Sequence, residues 1–107
     1  MTSRQERLAK NEALFREVNE RVKDVAAAAE GDLIDFICEC GDDDCTQVVA
    51  LTQTEYEKVR ADPRQFVVIP GHELPDVEDV AGQADRYLIV RKHSEEAAVA
   101  ERTDPRA

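Results

Sequence analysis

The chain has 107 residues, with 24 Asp and Glu against 14 Lys and Arg and a formal net charge of −10. That length suits one small domain with a thin core, and an acidic surface repels nucleic-acid phosphates rather than holding them. No apolar run is long enough to span a bilayer, and Met1 to Glu6 lack the apolar core of a signal peptide, so the expected location is the cytoplasm.

Ser3-Arg4-Gln5-Glu6 fits a capping box, which predicts a helix starting there. Leu8, Phe15, Val22 and Ala29, with Val18 and Val25 between them, follow a seven-residue repeat interrupted by Asn11, and Gly31 is expected to end the helix. So narrow a stripe either packs along the chain's own sheet or pairs with the same stripe of a second copy as a homodimer, with Asn11 setting the register. Residues 33–37 then read as a short strand that delivers Cys38, and residues 46–51 as a second strand leaving Cys45. The cysteine loop is therefore the tip of a β-hairpin. Thr52-Gln53-Thr54-Glu55 is another capping box, opening a helix with Tyr56 and Val59 on one face that Asp62-Pro63 closes.

The apolar run Phe66-Val67-Val68-Ile69 predicts a central strand buried on both faces, after which Pro70-Gly71 turns the chain and presents His72. Residues 75–80 fit a short helix, with Pro75 in its first turn and Gly82 past its end, and residues 86–91 fit the last strand. Beyond His93 the residues are mostly charged or alanine, and 94–107 are expected as a flexible tail. The predicted fold is α+β. A long N-terminal helix precedes β-β-α-β-α-β, a small, mainly antiparallel sheet pinned at one end by zinc, with residues 1–93 as a single zinc-binding domain.

Charge and cysteines fall in the same place. Between Asp24 and Glu57 there are ten carboxylates and no Lys, Arg or His, while the other 14 acids are balanced by all 14 Lys and Arg. The excess charge therefore lies on the segment that carries Cys38, Cys40 and Cys45. It suits a basic protein surface as partner, or serves only solubility. Three thiols within eight residues, an odd number in a reducing compartment, point to metal ligands rather than disulfides. A closed structural zinc site needs four ligands, and His72, aimed by a rigid strand and turn, is the expected fourth; His93 near the chain end is the weaker candidate, with a carboxylate or water as the remaining alternatives. The soft donor set disfavours Mg and Ca despite Asp42, Asp43 and Asp44, and the four-cysteine spacing of iron–sulfur proteins is missing. Gly41 lets the loop fold back so that backbone N–H groups reach the sulfurs.

The pattern Cys38-x-Cys40-Gly41-x-x-x-Cys45 resembles the post-SET zinc loop of protein lysine methyltransferases, and the likeness covers those eight residues. It implies the coordination mode, three clustered cysteines with a distant fourth ligand, and not the activity. Across its length the sequence resembles small, uncharacterised proteins of high-GC bacteria that pair such a CxCGxxxC hairpin with a later Pro70-Gly71-His72-Glu73. No metalloprotease or deaminase zinc motif, phosphate loop or nucleophile triad is present, and Glu73 is the one candidate general base beside the cluster, so no enzyme activity is expected. The expected function is a zinc-binding interaction or regulatory module whose acidic hairpin meets a protein partner, without direct contact to nucleic acid or membrane. The alternative is a thiol switch that releases zinc on oxidation.

Overall fold

A computed structural model describes residues 3–26 and 29–106. The order of elements is α1 (Ser3–Val25), β1 (Leu33–Ile37), β2 (Val48–Thr52), α2 (Gln53–Arg60), β3 (Gln65–Val68), β4 (Glu78–Gln83), β5 (Leu88–Lys92) and α3 (Ser94–Arg102). The fold is α+β with two antiparallel sheets, β1–β2 and β3–β5–β4. Among the described residues, no helix is long and apolar enough to cross a membrane.

The hairpin pairs Leu33 with Thr52 and Ile37 with Val48. Alternation sends Ile34, Phe36, Val49 and Leu51 into the core. There the Phe36 ring stacks on Tyr56 of α2, centroids 4.3 Å apart. The second capping box forms as its sequence predicts: the Glu55 N–H donates to Thr52 Oγ1, and the Thr52 N–H donates to the Glu55 carboxylate.

Several elements differ from the sequence expectation. The run at 66–69 gives an outer strand, not the central one; β5 lies in the middle of its sheet. Phe66, Val67 and Val68 are nonetheless buried, because the open edge of β3 is covered by the cysteine loop. The Glu39 N–H donates to Val67 O at 2.9 Å, and the Val67 N–H donates to the Glu39 carboxylate at 2.9 Å. The short helix expected at 75–80 is absent. A turn leads into β4, which fills the other side of β5, so the gain of a hydrogen-bonded partner strand outweighs the helical pattern of the segment. Residues 94–102, read from sequence as part of a tail, form α3, with Ala97 and Ala100 buried.

α1 departs most. It ends at Val25 rather than at Gly31, so Ala29 lies outside it and is exposed. The side chain of Ser3 lies outside the described residues, so the first capping box does too. Leu8, Phe15 and Val22 of the apolar stripe are half-buried, but Val18 and Val25 face solvent, together with Leu14. The residues that α1 buries completely are polar: Glu12, Arg16 and Asn19. Each meets a group far along the chain. Arg16 donates to the carbonyls of Pro63 and Ala100, both at 2.6 Å, and lies over the Phe66 ring. Asn19 donates to Ile37 O and accepts from Ile37 N–H, both at 2.9 Å, sealing the outer edge of β1 as a neighbouring strand would. Glu12 pairs with Lys92 of β5 at 2.5 Å.

Candidate metal centre

The strand period that buries Phe36 also aims the cysteines. Cys38 and Cys40 continue the parity of Phe36 just past the end of β1 and are buried with it, whereas Glu39, on the parity of exposed Asp35, is covered because it lies against the edge of β3. Glu39 is fully buried and accepts from Asn19 Nδ2 at 2.7 Å, Arg60 at 3.2 Å and the Val67 N–H. A carboxylate held by three donors fixes the backbone on either side of it, so both thiols are directed without help from a metal.

Gly41 follows with φ +81, a conformation that L side chains rarely adopt. A Cβ there would lie 2.8 Å from Glu12 Cγ and 2.9 Å from Leu8 O, so glycine is required by the approach of α1 as well as by the turn. Asn11, which interrupts the apolar repeat, clamps the loop by donating to Gly41 O at 2.9 Å and to Asp43 Oδ1 at 2.5 Å. The Cys45 N–H donates to Asp42 O, closing the turn that brings the third thiol back. His72 comes from the turn after β3, where its N–H donates to Ile69 O and Gly71 takes φ +97.

These elements bring Cys38, Cys40, Cys45 and His72 together, their ligand atoms all within 4.8 Å of one another. His72 Nδ1 stands 3.6 Å from Cys38 Sγ and 3.6 Å from Cys45 Sγ. A tetrahedron with metal–sulfur bonds of about 2.3 Å has edges of about 3.7 Å, so the donor set fits a single four-coordinate ion. The group can hold a metal. His93 is not part of it: it occupies the N-cap position of α3 without a side-chain cap, its Nδ1 3.2 Å from Ser94 Oγ.

Backbone donors surround the sulfurs. The Ile69 N–H donates to Cys38 Sγ at 3.3 Å, and backbone hydrogen bonds from Asp42 and Gln47 reach Cys40 and Cys45. Such N–H···S contacts stabilise thiolate charge. The three thiols shift one another. The Cys40 thiol is lowered to about 5, chiefly by a hydrogen bond from Cys38. Donating that bond, together with burial, raises Cys38, and burial raises Cys45.

Beside the cluster opens a cleft of about 500 Å³, lined among others by Arg4, Arg7, Cys40, Asp42, His72 and Glu73. Glu73 accepts from the Gly71 N–H at 2.8 Å and so braces the turn that carries His72. Sequence reasoning found the four cluster residues but missed the shell that aims them: Asn11, Asn19, Glu39 and Arg60. For Glu39 the local pattern points the wrong way, since alternation from buried Phe36 puts it on the side of exposed Asp35. No family model matches the chain, and neither the curated proteins nor the solved structures give a match.

Proposed function

We propose that the chain is a cytoplasmic zinc-binding module for protein interaction, in which Cys38, Cys40, Cys45 and His72 hold one zinc ion. The observation that carries the reading is the convergence of three sulfurs and one imidazole nitrogen within 4.8 Å, on loops fixed by their own hydrogen bonds. Soft thiolates with one imidazole favour zinc, and four protein ligands close the site to substrate. With three thiolates around a divalent ion the centre carries a net charge of −1. It adds to Asp42, Asp43 and Asp44 at the hairpin tip, so the surface suits a basic protein partner. Elemental analysis of protein purified without added metal tests the reading, with one zinc per chain expected; metal-free, fully folded protein overturns it. Affinity capture with and without chelator then reports whether partner binding needs the metal.

A second reading is favoured by the half-buried Cys45 lying against the other two thiols. A peroxide oxidising two of the three to a disulfide, itself reduced to water, would expel zinc. Retention of zinc in mild peroxide rules this out.

A further inference from the structure

We propose that the open face of the β1–β2 hairpin docks a basic amphipathic helix of a partner protein, an inference that rests on the reading of the chain as an interaction module. The inner face of the hairpin is sealed in the core. Its outer face presents Leu33, Asp35 and Ile37 on one strand, opposite Thr52, Ala50 and Val48 on the other. Leu33 at one end is 56% exposed and Val48 at the other 54%, so two large apolar side chains stand in water with exposed Asp35 between them. Both strands belong to the 24–57 segment; of its ten carboxylates Asp24, Glu39, Glu55 and Glu57 pair with cations from outside it, and Asp32, Asp35 and Asp42 to Asp44 are exposed acids beyond those pairs.

The spacing selects the partner. Leu33 and Ile37 are four strand residues apart, about 13 Å along the hairpin. A helix covers about 12 Å between positions i and i+8, and its position i+4 falls on the same face midway. Apolar residues at i and i+8 therefore meet Leu33 at one end and Ile37 with Val48 at the other, and a Lys or Arg at i+4 meets Asp35. Further basic residues would face Asp32 or the acidic loop. A partner strand added at the edge is disfavoured, because both edges are engaged: Asn19 holds Ile37 N–H and O, while Arg86 donates to Ala50 O and the Thr52 N–H donates to Glu55. Nucleic acid and anionic lipid are repelled by the same charge that attracts the helix.

The test is a titration of the zinc-loaded, ¹⁵N-labelled full chain with two synthetic helical peptides, alike except for Lys or Glu at i+4 between leucines at i and i+8. Amide shifts are expected at Leu33, Asp35, Ile37, Val48 and Ala50 with the Lys peptide. Asp35→Lys should weaken the Lys peptide and strengthen the Glu peptide, each by about tenfold. Leu33→Ser with Val48→Ser should weaken both peptides, and since these side chains are exposed, an unchanged melting temperature verifies the fold. Shifts confined to Asp42, Asp43 and Asp44 overturn the inference while leaving the interaction module standing. Failure of the charge swap overturns it as well, and no binding of the Lys peptide removes both.

Discussion

The two sheets bury their charges by different means. In the hairpin region, the buried Glu39 carboxylate meets three donors, one of them the guanidinium of Arg60. In the three-stranded sheet, Lys92 lies between two buried carboxylates, 2.5 Å from Glu12 and 2.6 Å from Glu78, so the site holds one acid more than it has cations. A two-stranded hairpin is marginal in water, whereas three strands with an apolar face can persist. Both sheets share one apolar core, Phe36 and Leu51 with Phe66 and Val90, so the hairpin, with the fewer strands, leans more on that core and on what is attached to its tip, and the other sheet adds its own ion pairs.

Metal removal should expose that difference most. Zinc binding in small domains contributes roughly 10–16 kcal/mol, much of it folding energy. Hydrogen exchange on chelated protein should show the amides of β1, β2 and the cysteine loop opening first, and those of β5 last. Simultaneous loss of protection would mean that the two regions form one cooperative unit.

Glu39→Ala should come next. It leaves the buried Arg60 without its carboxylate and frees the edge of β3, at a cost of about 3–5 kcal/mol. Glu39→Gln, which keeps the shape and some of the hydrogen bonds, should cost less. Thermal melts together with chelator competition separate a loss of packing from a loss of zinc affinity. A cost no larger than that of a surface substitution would remove Glu39 as the organiser of the hairpin.

How far the sequence carried depended on whether a signal was local. β1 was legible at its observed bounds, as were the capping box at Thr52 and the four cluster residues, since turn chemistry, caps and ligand spacing act over a few positions. The buried face of α1 was not. Glu12, Arg16 and Asn19 carry no local signal of burial, because the groups they meet lie far along the chain, at Lys92, Pro63, Ala100 and Ile37. β4 was misread for a related reason: Pro75 suits a first helical turn and Gly82 a helix end, and only the open side of β5 makes residues 78–83 a strand.

The charge surplus around Lys92 gives a pH signature. Burial raises the Glu12 carboxyl from 4.5 to about 7 against the opposing pull of Lys92, and the charge of Glu78 adds to the rise. Folding therefore takes up a proton. The resulting stability is complete below the unfolded value of 4.5 and is lost as pH rises through about 7, an effect of up to roughly 3 kcal/mol. Relative to Glu12→Gln, the wild type should become less stable across that window in denaturant melts. A flat difference would mean that Lys92 alone neutralises both acids.

The smallest effect separates the two histidines. His93 sits at the N-cap of α3 with extended backbone, φ −128 and ψ 174, and its side chain makes no capping hydrogen bond to the helix. Its N–H donates to Val77 O and its carbonyl accepts from Ala97 N–H, and alanine would keep both bonds. His93→Ala should therefore leave zinc affinity unchanged and cost no more than about 0.5 kcal/mol, the range of substitutions that remove no packed or capping group. His72→Ala instead deletes the one nitrogen that faces Cys38 and Cys45, opening a coordination position to water. Chelator competition on the two variants decides between them. Release of zinc by His93→Ala but not by His72→Ala would overturn the ligand assignment. Retention in both would place a carboxylate or water in the fourth position, and the cleft lined by Glu73 would then border an open metal rather than a closed one.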